Sequence, residues 1–438
     1  MTDPDLPFGL TLIIVLTLFG MLMLSTTATH RQTLAYQRKL FLAAIALRFL
    51  TSLLLYQFGA ANVLKDEDAS GWVVGIFLHE EWERKGIGIF DLPQVLAETL
   101  DGKHRGYYYL LGVLFHLTDV PARLPAAALN CFFGAFTVVM VYRIARSVFT
   151  EKISRRAGLW ACLFPSMIIW SAQTLKEPVV IFLETIALYG CIRLKLAGFS
   201  VRHLTVCALA ILLVIPFRFY AAYIAGAAVL LTLILPQLSR RKITIGSGLA
   251  IAGLVIPLII ASGVLVKHEA IMERFDLPGI QRYRRNLAMG EGGGSGVATG
   301  FDMNTPTGFG LATAVGAAHL LLAPFPWQLG GGSVRMLLTL PELLVWWWLF
   351  FLALIPGLRY AVRKCPSEIM PLLIFIGGLG FLYSVTFGNV GLAYRHRAQL
   401  LPWLLILASV GLEIRRLKQM EKKQGSLPLN RGEVVAQT

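Results

Sequence analysis

The chain has 438 residues, 56% of them hydrophobic and 15% charged, against roughly 25% charged residues in ordinary soluble domains. That balance excludes water as the main solvent, and the formal charge of +15 does not indicate nucleic acid, because Lys and Arg fall in short clusters between apolar runs, where they lie beside lipid headgroups. The five cysteines, Cys131, Cys162, Cys191, Cys207 and Cys365, show no CxxC spacing, so neither a disulfide framework nor a cysteine metal cluster is indicated.

The first apolar run is Phe8–Thr26. Its leading flank, Thr2–Leu6, is acidic rather than basic, which predicts a first membrane span instead of a cleaved signal peptide. Arg31, Arg38 and Lys39 precede the second run, Leu40–Ala60. Basic connections mark the cytoplasmic side, so residues 61–123 form a first external loop. Spans follow at Leu124–Val148, Gly158–Gln173, Val179–Arg193, Leu204–Pro216, Ala221–Leu235 and Ile245–Val266, with the basic connections 143–156, 193–203 and 239–242 falling alternately inside. Residues 267–330 form a second external segment, rich in glycine around Gly290–Gly300. If its apolar stretch Phe309–Phe325 spanned, Arg359, Arg363, Lys364 and the basic run from Arg415 would all land outside. It is therefore read as a re-entrant or interfacial element, which protein-buried irregular backbone permits. The last spans are Leu340–Leu358, Ile369–Phe387 and Leu400–Leu412. The expectation is an all-α polytopic integral membrane protein of about eleven transmembrane helices, one membrane domain over residues 1–420, interfacial helices in the first external loop, and a disordered cytoplasmic tail over 421–438.

Asp66, Glu67 and Asp68 stand immediately outside the second span. Carboxylates there can take a proton from a hydroxyl as it attacks an anomeric carbon, or they can simply open a solvated loop. Three adjacent acids could also hold Mg²⁺ or Mn²⁺, although hard cations need more oxygen ligands than these supply. Glu80, Glu81 and Glu83, interleaved with His79, Trp82, Arg84 and Lys85, read as an interfacial amphipathic helix with Trp72, Ile76 and Phe77 on its apolar side. Arg218, the run Arg282, Arg284 and Arg285, and Arg395, His396 and Arg397 fall on the external face by the same topology. Basic clusters there run against the positive-inside bias, and a guanidinium fork matches phosphate oxygens; headgroup anchoring is the plainer account. Lys176 and Glu177, between two apolar runs and followed by Pro178, either line a cavity or cap the next span. Pro324–Trp327 cannot be regular helix, which suits an element near a substrate cavity and makes Trp327 a candidate substrate contact. Trp346, Trp347 and Trp348 read as an interface belt or packing.

Taken in order, Arg48 in the second span, Asp68 followed by Trp72, Tyr107–His116, Pro121–Arg146, Phe164-Pro165-Ser166, Leu175-Lys176-Glu177-Pro178 and the closing Tyr394-Arg395-His396-Arg397-Ala398-Gln399 before Leu401-Pro402 resemble polytopic glycosyltransferases of the GT-C fold, of the family-39 kind that use polyprenyl-phosphate sugars. The resemblance covers residues 38–235 and 385–415. It rests on order and topology rather than a strict motif, and departs from the usual pattern in the extra span Phe8–Thr26, in three clustered acids instead of a clean pair, and in lacking a large soluble C-terminal domain. It implies a GT-C-like bundle in a bacterial-type inner membrane, with its active site on the external face. Asp68 would be the base, with Asp66 and Glu67 as alternates; Arg395, Arg397, His396 and Arg218 would hold the donor phosphate, and Glu177, Lys176, Arg282, Arg284, Arg285 and Trp327 would contact substrate. The implied partners are a polyprenyl-phosphate-linked sugar donor, a glycan or lipid acceptor and membrane lipids. Two further readings share the setting. A repeat-unit polymerase or glycan ligase would use polyprenyl-diphosphate donors and the basic residues of the external segments; a lipid-linked glycan transporter would need related halves and gating elements near the midplane.

Overall fold

The computed structural model describes residues 5–27, 31–57, 71–88, 90–92, 105–198, 200–240, 276–289, 296–297, 300–328 and 339–424. In chain order the helices are α1 (Asp5–Thr27), α2 (Arg31–Gln57), α3 (Trp72–Arg84), α4 (Gly106–Thr118), α5 (Arg123–Val148), α6 (Glu151–Leu163), α7 (Pro165–Ser171), α8 (Glu177–Ala197), α9 (Val201–Arg240), α10 (Leu277–Met289), α11 (Pro306–Leu322), α12 (Leu340–Leu349), α13 (Ile355–Lys364), α14 (Pro366–Val385) and α15 (Val390–Gln424). A 3₁₀ turn, Pro326–Gln328, follows α11, and a π-helical turn, Phe350–Leu354, joins α12 to α13. Among the described residues there is no strand, only an isolated bridge between Gly296 and Asn389.

Six helices of the described residues are long and apolar enough to cross a membrane: α1, α2 over Gln32–Tyr56, α5, α9 over Val201–Leu233, the continuous run Leu340–Lys364, and α14. The all-helical membrane architecture read from composition is thus present. Its segmentation differs from expectation in ways that proline explains. Leu204–Pro216 and Ala221–Leu235, expected as two spans, are one helical run in which Arg218 leaves helical geometry (φ −160°, ψ 78°), two residues after Pro216 withholds an N–H from the ladder. Gly158–Gln173, expected as one span, is divided into α6 and α7 at Phe164, whose extended backbone (φ −69°, ψ 119°) is what a residue before proline prefers. Phe309–Phe325 is regular helix as far as Leu322 and irregular only beyond it. The tail is helical through Gln424; the remainder, and the expected span Ile245–Val266, lie outside the described residues.

The chain divides into two compact units, one comprising Met1–Ile144, Gly158–Gly190 and Thr205–Ala222, the other Ala145–Ala157, Cys191–Leu204 and Tyr223–Thr438. In the first, α1 packs on α2, α2 on α7, and α3 on α4. The most apolar window of α5 is 89% buried against 22% for α1, which makes α5 the central helix and α1 a peripheral one. Leu10, Ile14, Leu18 and Leu22 of α1 are exposed along one helical face, a surface that lipid stabilises and water would not. Arg143 closes one end of this unit, donating from Nε to Gln37 Oε1 at 2.7 Å and from Nη1 to Thr27 Oγ1 at 3.1 Å.

In the second unit α11 packs on α14 and α15, while α13 and the π turn pack on α15. The α15 crossing is set by glycine. A Cβ on Gly411 would sit 1.8 Å from Ala353 O, and one on Gly357 would sit 1.9 Å from Leu407 O, so the backbones meet directly, as small residues allow between membrane helices. Beyond the apolar run Leu400–Leu412, the buried Glu413 carboxylate receives Lys152 at 2.8 Å and Arg156 at 2.9 Å. Burial alone would push this carboxyl up, but the hydrogen bond from Lys152 and the charge of Arg156 outweigh it and hold Glu413 below the usual carboxylate range.

Gly411→Ala should therefore destabilise the fold by about 1–3 kcal/mol, as overpacking does. Gly226→Ala, in a helix with nothing within 4 Å of the new Cβ, should be neutral or stabilise by roughly 0.5–1 kcal/mol; thermal unfolding of the two variants in nanodiscs should show a lowered midpoint for Gly411→Ala alone. Because the Glu413 pKa is depressed, the stability it contributes is complete above the ordinary glutamate value of roughly 4.3 and is lost as pH falls through the folded value. Melting curves of wild type and Glu413→Gln should differ at pH 7 and converge toward pH 3.

Candidate functional site

In the first unit the polar residues converge where helices are broken. Between α7 and α8 the chain runs irregularly through Ala172–Lys176, leaving carbonyls that hydrocarbon cannot satisfy. Side chains of neighbouring helices supply the donors. Asn130, fully buried on α5, donates the two N–H groups of its amide to Gln173 O at 2.6 Å and Leu175 O at 2.7 Å, with the Tyr107 hydroxyl 2.9 Å from the same nitrogen. Ser52 of α2 donates to Ala172 O at 2.6 Å. Arg48, also on α2 and fully buried, reaches Ala161 O at 3.2 Å from Nη2 and Ala44 O at 3.2 Å from Nη1. Asn130 and Ser52 thus fix the segment that presents Glu177, and Arg48 the end of α6 before it.

Glu177 begins α8, and its Oε1 accepts from Arg218 Nη2 at 2.7 Å with both side chains buried. Glu177 therefore opens a helix and holds a buried counter-ion. Arg218 sits at the break in α9, and its guanidinium lies 5.8 Å from the Tyr220 ring. The start of α4 rests on the same place: a Cβ on Gly106 would come within 2.9 Å of Pro216. Burial pushes the Tyr107 hydroxyl well up, and the nearby Tyr56 and Glu177 add to this, so Tyr107 stays a neutral hydrogen-bonding group. Arg123 stands over the Tyr56 ring at 4.4 Å and the Trp72 ring at 5.9 Å. Lys176 is half-buried beside the pair. Asp66, Glu67 and Asp68, the candidate base and metal ligands, lie outside the described residues.

In the second unit a different break gathers the residues. The carbonyls ending α11 have no helical partners, and three side chains take them: Trp346 Nε1 donates to Leu321 O at 2.6 Å, Trp347 Nε1 to Leu322 O at 2.9 Å, and Arg397 Nη1 to Ala323 O at 2.8 Å. Two of the three tryptophans expected as belt or packing are thus hydrogen-bonding anchors. Arg397 is buried, 4.7 Å over the Tyr394 ring and 5.7 Å over Trp346. His396 stacks on Tyr383 at 3.9 Å, Tyr383 donates to Gln399, and Arg395 is buried one residue before His396. The motif from Tyr394 to Gln399 is therefore a packed polar element, with Arg397 turned toward backbone.

The three α10 arginines diverge. Arg284 is buried and donates to Val385 O at 2.8 Å, capping the end of α14, whereas Arg282 and Arg285 are exposed. After α11, Phe325 and Trp327 stack at 4.8 Å with 7° between ring planes, and Trp327 is 76% exposed, an open aromatic surface. Gln328 holds this turn, accepting from Phe325 N at 2.9 Å and bonding His319 Nε2 at 3.0 Å. Sequence reasoning passed over Asn130, whose signal was a lone amide in the apolar run Leu124–Val148, and over Arg123 at the entrance to that run.

No protein-family model matches the chain, and no curated protein is similar to it at a significant level. Among solved structures, the archaeal oligosaccharyltransferase AglB from Archaeoglobus fulgidus, in complex with an inhibitory peptide and a dolichol-phosphate, superposes with a TM-score of 0.47 at 12% sequence identity, over 88% of this chain and 52% of that one. The chain spans about half the length of that protein.

The buried pair makes a quantitative prediction. Arg218→Met removes the guanidinium facing a buried carboxylate and should cost about 3–5 kcal/mol, whereas the double variant Arg218→Met/Glu177→Leu should recover much of that loss. A double-mutant cycle by chemical denaturation that gave additive losses would contradict a tight coupling between the two.

Proposed function

We propose that this chain is a membrane glycosyltransferase that moves a sugar from a polyprenyl-phosphate donor to a glycan or lipid acceptor at the external face of a bacterial-type inner membrane, in envelope or exopolysaccharide synthesis. The observation that carries this reading is the buried Glu177–Arg218 pair at a double helix break, 2.7 Å between charged atoms. Sealing an ion pair in an apolar bundle is a poor route to stability, and ionisable groups inside membrane proteins mark substrate paths. The neighbouring Tyr107 hydroxyl and Asn130 amide are neutral groups of the kind that contact sugar hydroxyls. A fixed guanidinium beside neutral hydrogen-bonding groups, reached through lipid, suits an anionic lipid that carries a sugar.

In this reading Asp68 takes the proton of an acceptor hydroxyl, the hydroxyl oxygen attacks the anomeric carbon, and the bond from that carbon to the phosphate oxygen breaks with inversion. The lipid phosphate leaves with the bonding pair. Arg218, held by Glu177, offers it a cation. Exposed Arg282 and Arg285, three residues apart on α10, favour a second reading, in which a diphosphate-linked oligosaccharide is the donor and the enzyme is a polymerase or ligase. Transfer from a radiolabelled panel of polyprenyl-phosphate sugars should be seen with wild type and fall by about 10²–10⁴-fold, the usual contribution of a general base, in Asp68→Asn with donor binding retained. Full activity of Asp68→Asn would overturn the assignment of the base. Consumption of diphosphate-linked oligosaccharides alone, sensitive to Arg282→Gln and Arg285→Gln, would select the second reading.

A further inference from the structure

His79, Glu83 and Asp119 form a cluster that the proposed transfer reaction does not use. His79 and Glu83 lie one helical turn apart on α3, so both side chains leave the same face. Asp119 follows α4 as its C-cap and is the one non-glycine residue with positive φ (52°) among those described. Glycine is the usual occupant of such a left-handed cap, and aspartate there turns its carboxylate back toward α3. His79 is 4% exposed. Its Nε2 stands 3.8 Å from Glu83 Oε1 and 3.7 Å from Asp119 Oδ1, too far for hydrogen bonds. Its Nδ1 has no hydrogen-bond partner either. The three donor atoms lie within 4.8 Å of one another. Atoms each bonded at about 2.0–2.2 Å to one ion stand some 3–4 Å apart at ordinary coordination angles, and the two distances from His79 Nε2 fall in that range. His116, 5.9 Å from His79 between ring centroids, is bonded through Nε2 to Ile87 O at 2.8 Å and stays outside the set.

We infer that His79 Nε2, Glu83 and Asp119 form a binding site for a borderline divalent cation of the Zn²⁺ class, which staples α3 to the end of α4. One imidazole with two carboxylates suits Zn²⁺ or Mn²⁺ better than Mg²⁺ or Ca²⁺, which take oxygen ligands. Three protein ligands, two of them exposed (Glu83 53% and Asp119 84% by side chain), leave a coordination position for water. Phe77 of α3 is exposed, and α3 and α4 pack so closely that a Cβ on Gly75 would lie 2.8 Å from Leu111. A cation at the far end of this pair would hold the interfacial helices as one element. This inference stands apart from the transferase reading, since it requires only that the helices pair as described.

The test is metal binding by the purified full-length protein in nanodiscs, stripped with chelator and titrated with Zn²⁺, Mn²⁺ and Mg²⁺ separately, with bound metal measured by mass spectrometry and α3 protection by amide hydrogen exchange. One Zn²⁺ per chain is expected, with slowed exchange over residues 72–84. Affinity should drop by at least about tenfold in Glu83→Gln and in Asp119→Asn, as losing one ligand of a small set does. Both substitutions fall on exposed side chains, so folding is retained, and Glu81→Gln on the same helix should bind as wild type does. Absence of stoichiometric Zn²⁺, or equal uptake by the double variant Glu83→Gln/Asp119→Asn, would overturn the site.

Discussion

Hydrocarbon offers no hydrogen bonds, so every place where a helix of this chain stops among apolar residues must find donors for its carbonyls inside the protein. Much of the local architecture follows from that constraint. The turn after α7 is held by Asn130 and Ser52, and the end of α6 by Arg48. The end of α11 is held by Trp346, Trp347 and Arg397, and the end of α14 by Arg284. Each donor is a costly residue in an apolar setting, and each is retained where a broken helix needs it. A carbonyl left bare at such a site would cost about 1–3 kcal/mol, enough to reorder the segment.

The breaks matter because they place charge. Proline at 165, 178 and 216 brackets the two irregular points from which Glu177 and Arg218 meet. A continuous helix at either point would carry one of these residues away from the other. The guanidinium is thereby held by a carboxylate, and Asn130 fixes the turn that precedes Glu177. In the second unit the same device serves α11: its capped end presents the stacked Phe325 and Trp327, with Gln328 bracing the turn against His319.

Sequence periodicity and charge gave the membrane character and most helix positions, because apolar runs of bilayer length have few soluble alternatives. A helix around Glu80–Glu83 was also legible, but its faces were not: of Trp72, Ile76 and Phe77, expected on the apolar side, only Phe77 is exposed, and Gly75, His79 and Trp82 are the buried residues. What could not be read was which arginines face backbone and which face outward. Arg284 and Arg285 are adjacent and alike in sequence, yet only Arg284 faces the carbonyl end of α14, a contact 101 residues away. Arg397 was expected to meet phosphate from its composition and side of the membrane, and only packing shows it turned to Leu321 and Ala323. Likewise nothing local in Pro216-Phe217-Arg218 says whether the helix ends or bends, because proline permits both.

The most direct test of the constraint on which this account rests is amide hydrogen exchange over residues 161–180 in nanodiscs, comparing wild type with Asn130→Leu. Removing the two bonds donated to Gln173 O and Leu175 O while keeping side-chain volume should raise exchange in this segment by at least about tenfold, the equivalent of 1.4 kcal/mol, and leave α15 unchanged. Unchanged exchange over 161–180, or a uniform rise across the chain, would contradict the claim that buried donors at the helix breaks hold the site in place.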